Sequence, residues 1–161
     1  MGNITIQEVS EKDAGFLFQL MNDPLVMQAL NEVPTTQTDW EEAILLWQSD
    51  ADEEGYIIFE DENPIGWFAL NNLMAEDNEA FLKMAALLPK YQSKGIGAHV
   101  ITQLISKARA KNAAILSLFT DQDNHRAQKC YIKCGVNAVD TFADEMSNGK
   151  RVNRIKMTLT L

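Results

Sequence analysis

At 161 residues, with 46% hydrophobic and 23% charged residues, the chain has the length and composition of a single globular domain over residues 1–161, neither disordered nor fibrous. Fourteen Lys and Arg against 23 Asp and Glu give a net charge of −9, which repels phosphodiester backbones and argues against nucleic acid as a partner. No window approaches the roughly 18 uninterrupted apolar residues of a membrane span, and the opening "MGNITIQEVSEKD" lacks the regions of a secretory signal, so a soluble cytoplasmic protein is expected.

Ile4, Ile6 and Val9 in "NITIQEV" mark a half-buried first strand. Ser10, with Asp13 three residues on, is a capping-type start for a helix carrying Phe16, Leu17, Leu20 and Met21 at helical spacing. Asp23-Pro24 ends that helix and opens a short one through Leu30, which Pro34 closes. Thr38-Asp39-Trp40-Glu41 reads as a second capping box, leading into Ile44, Leu45 and Trp47. The acidic run "SDADEEG" then reads as a solvated loop.

"YIIFE", "DENP" and "IGWFALN" spell a hairpin of two aromatic-rich strands around an Asp/Asn/Pro turn. After the polar loop "AEDNE", "AFLKMAALL" is read as a strand despite its alanines, because Pro89 leaves only nine residues for it. Gly97 to Ala110 carries Val100, Ile101, Leu104, Ile105 and Ala108 as the stripe of an amphipathic helix lying on a sheet. "AILSLFT" follows as a strand, and Asn124 begins a helix that runs through Cys134 and stops at Gly135. "VNAVDTF" and "RVNRIKMTLTL" close the chain as two strands joined through "ADEMSNGK", whose Asn148-Gly149 is a turn signal. The order predicts an α/β protein with a mixed sheet and helices on its faces. Cys130 and Cys134, the only thiols, share one helix face and read as packing residues, with no further ligands nearby to make a metal site.

Two glycines one residue apart, Gly95 and Gly97, stand between a strand and a strong helix. A helix start of this kind offers free N–H groups and the positive end of the helix dipole to an anion, and glycine lets phosphate oxygens approach the backbone. A dinucleotide fingerprint would need a third glycine where Val100 stands, and no Gly-Lys-Ser/Thr follows for a P-loop. What remains is Gln92-x-x-Gly95-x-Gly97, followed downstream by Asn124, Ala127, Tyr131 and Gly135 in "DNHRAQKCYIKCGV".

These two motifs resemble the GNAT superfamily of acetyl-CoA-dependent N-acetyltransferases, the second departing only in Val136 where the family has Phe. The resemblance implies a mostly antiparallel central sheet, splayed between its fourth and fifth strands, with helices on both faces. It implies acetyl-CoA as cosubstrate and no metal. The N–H groups of Ser93, Lys94, Gly95, Ile96, Gly97 and Ala98, introduced by Gln92, would surround the pyrophosphate, and Lys94 would add charge. The main chain of Ala85, Ala86 and Leu87 would pair with the pantetheine arm, and Asn124 would hold it from the other side.

For the chemistry, the resemblance assigns a thioester oxygen to the N–H of Leu87 and the leaving sulfur to Tyr131. Glu79 is the expected base, directly or through water, with Asp121 as another carboxylate and a water chain as the remaining option. His99 and His125 read as solvated. Either Trp67 or Phe68 would face the acceptor, which the "SDADEE" loop would approach. The expected reaction is acetyl transfer to a primary amine of a small cationic molecule or a peptide. A catalytically silent acetyl-CoA-binding regulatory module is the alternative, and an O-acetyl or longer-chain acyl transferase is a third reading. Homodimers are common in the family.

Overall fold

The computed structural model describes residues 2–161. Strand β1 (Ile4–Glu8) leads through a short 3-10 turn into helices α1 (Ala14–Met21), α2 (Pro24–Leu30) and α3 (Gln37–Gln48). Strands β2 (Glu54–Glu60), β3 (Asn63–Asn71) and β4 (Glu79–Leu87) follow, then α4 (Ile96–Ala110), β5 (Ile115–Asp121), α5 (His125–Lys133), β6 (Asn137–Glu145) and β7 (Arg151–Thr160). The seven strands form one sheet in the order β1-β2-β3-β4-β5-β7-β6.

Every neighbouring pair is antiparallel except β4 and β5, which run parallel. That pair is joined only where Glu79–Phe81 meet Ile115–Ser117, and beyond it the strands part. Residue 83 stands opposite no partner, since Ala69 pairs with Met84 and Leu70 with Leu82, so β4 bulges just where the separation begins. The splay expected between the fourth and fifth strands is present.

Two cores hold the sheet. On one face Val100, Ile101, Leu104, Ile105 and Ala108 of α4 are all buried against Phe68, Leu70, Leu116 and Met157, as the stripe in the sequence requires. On the other, Leu17, Leu20, Val26 and Ile44 of the first three helices cover Ile57, Trp67, Ala69 and Ala86. β3 feeds both cores by alternation, which is why it reads as a nearly continuous apolar run. Trp67 is therefore a core residue, stacked on Trp47 and edge-on to Trp40.

Several local expectations are corrected. Helix α3 starts a half-turn earlier than predicted. Thr36 caps it, its hydroxyl accepting from the Asp39 N–H while the Asp39 carboxylate accepts from the Thr36 N–H. The turn of the first hairpin is only Asp61 and Glu62, because Asn63 and Pro64 are absorbed into β3, where Pro64 sits at a register shift. The final hairpin closes over residues 146–150, since "ADE" extends β6. The acidic loop is not simply solvated. Asp52 accepts from the N–H groups of Asn72 and Met74, Glu53 pairs with Lys83, and Glu54 pairs with Lys111. Its carboxylates serve the fold.

Candidate active site

Where β4 and β5 part, the sheet carries a through-going cleft with a cavity on each side. One, of about 290 Å³, lies between the start of α4 and α5; the other, of about 220 Å³, lies under α2 and the β6–β7 hairpin. Ala85, Leu87, Gln92, Arg126, Ala127 and Tyr131 wall both.

The open edge of β4 follows from strand alternation. The N–H of Leu88 donates to Ile65 on β3, so Ala86, two residues away, also faces β3, while Ala85 and Leu87 turn their main-chain groups toward the gap. The outward carbonyl of Leu87 accepts from the Gln92 side chain at 2.9 Å, which ties the loop to the strand. The expectation that Ala86 joins Ala85 and Leu87 in pairing with a ligand is corrected, because its backbone is committed to the sheet.

The two glycines have different reasons. Gly95 is the N-cap of α4 at φ 83°, a left-handed conformation that L side chains adopt at a cost, and Ser93 just before it has φ 60°. The helix thus starts at Ile96 rather than Gly97, with no side-chain cap, so the N–H groups of Ile96, Gly97 and Ala98 have no intrahelical acceptor. At Gly97 the constraint is packing, since a β-carbon there would lie 3.3 Å from the Cys130 sulfur of α5. Cys134 likewise packs on α4, its thiol 3.6 Å from the Ala98 carbonyl.

Lys94 is exposed on the loop. The cavity's strongest positive lining comes from Arg126, Lys129 and Lys133, three or four residues apart on one face of α5. In a chain of net charge −9 this is a local inversion of sign, and its helical spacing was available in the sequence. Phe68 walls the same cavity, so of the Trp67–Phe68 pair neither faces the second one.

Tyr131 is half-buried between the cavities. Burial pushes its phenol well above the ordinary value; the neighbouring Cys130 adds to the rise, and the Arg154 guanidinium opposes it. The group therefore holds its proton at neutral pH. Asn124 caps α5, its side-chain oxygen accepting from the Ala127 N–H at 3.2 Å, and lines the second cavity. His125 is the exposed first residue of that helix, and His99 is exposed beside Gln103.

Glu79 is not brought to the cleft. It lies at the closed end of the β4–β5 pair, where Lys156 at 2.8 Å and the Ser117 hydroxyl hold its carboxylate. The same two partners, Lys156 first, hold its carboxyl below the usual carboxylate range, which makes it a poor base, so its expected role is corrected. Asp121 does reach the second cavity but is engaged, accepting from the Asn31 amide at 2.7 Å and lying 3.3 Å from the Arg154 guanidinium. Neither Asn31 nor Arg154 was singled out from the sequence, since their partners lie far along the chain.

The model of the acetyltransferase (GNAT) family matches residues 17–136. The chain is similar in fold to spermidine N-acetyltransferase from Vibrio cholerae in complex with CoA and spermine, with TM-score 0.87 and 20% identity over 98% of this chain and 95% of that one. It is also similar to a probable acetyltransferase, with TM-score 0.85 and 19% identity over 98% and 92%. A dodecameric form of the Vibrio cholerae enzyme gives TM-score 0.82 at 19% identity, over 98% and 93%. No curated protein matches the chain. With three quarters of its length under the family model, the chain belongs to the GNAT acetyltransferase family.

Proposed function

We propose that the chain binds acetyl-CoA between α4 and α5 and moves its acetyl group to a primary amine of a small cationic molecule or a peptide, which enters from the cavity under α2. The observation that carries this reading is the shared wall: Tyr131 and the free edge at Ala85 and Leu87 border both cavities, so groups held on opposite sides of the sheet meet there. The residues present fit the cosubstrate. Unpaired N–H groups at the start of α4 and the cations of α5 suit a diphosphate, and the outward main chain of Ala85 and Leu87 suits an amide-bearing arm.

When bound, acetyl-CoA supplies an activated acyl group as a thioester. The N–H of Leu87 offers a donor to a carbonyl oxygen on which charge develops, and the phenol of Tyr131 holds a proton for a departing sulfur. With Glu79 remote and Asp121 engaged, neither serves as the base that takes the amine proton. Spermine, named in the complex above, is an amine of the class proposed.

The test pairs thermal shift with acetyl-CoA against free-thiol release with acetyl-CoA and a panel of amines. Stabilisation together with amine-dependent thiol release is expected. Stabilisation without thiol release from any amine would favour the silent binding module.

A further inference from the structure

We infer that Glu32 is the acceptor-docking carboxylate of this enzyme, selecting a primary ammonium group carried on an aliphatic stem. The inference deepens the transfer reading above and rests on it. Two carboxylates wall the acceptor cavity, Glu32 and Asp121. Asp121 is compensated by the Arg154 guanidinium and accepts from Asn31, so a second cation gains little from it. Glu32 has no ion pair or side-chain hydrogen bond among the described residues and is half-buried, which leaves its charge available to a ligand.

The chain holds Glu32 in place. Asn31 ends α2 in the left-handed conformation at φ 54°, and the Glu32 N–H donates back to the Met27 carbonyl, closing the helix in a six-to-one turn. Asn31 is itself 3% exposed, with its amide on Asp121 and its carbonyl accepting from the Asn148 N–H of the β6–β7 hairpin. Three elements thereby fix the position of the next residue on the cavity wall. The same wall carries apolar side chains, Val26, Leu30, Met84 and Met146, and three cations, of which Lys83 is paired with Glu53 and Arg154 with Asp121, while Arg126 stands on α5. That combination fits a cationic head followed by methylenes, and it disfavours an amine flanked by a carboxylate or a peptide carbonyl.

The experiment compares wild type, Glu32→Gln and Glu32→Asp with 1,3-diaminopropane, spermidine and an alanine tripeptide as acceptors. Glu32→Gln is expected to raise the amine KM about 10-fold, as the loss of one partly desolvated ion pair implies. Glu32→Asp is expected to recover part of that, and the KM for acetyl-CoA should not change in either. An unchanged amine KM in Glu32→Gln, an equal rise in the acetyl-CoA KM, or a preference for the tripeptide overturns the assignment. If no amine is acetylated by wild type, the transfer reading falls on its own. Calorimetric titration of 1,3-diaminopropane into the CoA-loaded protein still reads Glu32, and equal affinity in wild type and Glu32→Gln overturns the docking role.

Discussion

Tyr131 joins the two cavities, and its chemistry can be isolated by removing one oxygen. Tyr131→Phe keeps the ring that packs on α4 while deleting the proton, so kcat should fall about 10²-fold, the lower range for a lost general acid, with acetyl-CoA affinity unchanged. Unaltered turnover would remove the role. The phenol also carries a pH signature. Its pKa is raised in the fold, so the protonated donor persists above pH 10 rather than disappearing there as an ordinary tyrosine would. Measured up to pH 10.5, kcat should show no descending limb centred near 10. Gly95→Ala tests the backbone instead: open space surrounds the site, but φ 83° costs an L residue roughly 1–2 kcal/mol, to be read by denaturant unfolding. Helical spacing sets Tyr131 on the wall of both cavities, whereas Asn124, expected against the pantetheine arm, lines the second cavity, and Glu79 was misread because its partners, Ser117 and Lys156, are distant in sequence.

At the scale of elements, α5 presents Arg126, Lys129 and Lys133 to the cofactor cavity while contributing little to the core. Lys129→Gln with Lys133→Gln should weaken acetyl-CoA binding about 10-fold, equivalent to about 1.4 kcal/mol, and flatten its salt dependence. The helix itself should stay folded, since both residues are outside the core. Helix α4 behaves in the opposite way. Leu104 is fully buried beneath it, and Leu104→Ala should cost roughly 2–5 kcal/mol of stability through the cavity it leaves. Amphipathic periodicity made α4 and its stripe plain from sequence alone. Element boundaries were less legible, because competing caps one half-turn apart, Thr36 with Asp39 and Thr38 with Glu41, obey the same local rule. The role of the acidic loop was hidden for another reason, as Asp52 finds its partners in the loop after β3 and Glu53 its partner on β4, which only tertiary pairing brings near.

Across the whole molecule, the decisive feature is a parallel pair that stops after three residues within an otherwise antiparallel sheet. The short β4–β5 pairing, with the bulge at residue 83 just beyond it, leaves the rest of that edge of β4 unpaired in the middle of the sheet. The glycine loop and the Tyr131 motif implied that edge, but no local pattern revealed which main-chain groups face it. Alternation from a single bond, Leu88 to Ile65, does. Charge is likewise arranged globally, a basic cavity set into a protein of net charge −9. The central claim is that this cavity grips the diphosphate of acetyl-CoA. Calorimetric titration of acetyl-CoA into the folded protein should show saturable one-to-one binding that weakens as salt is raised; the absence of any binding heat, on material whose unfolding remains cooperative, would contradict it.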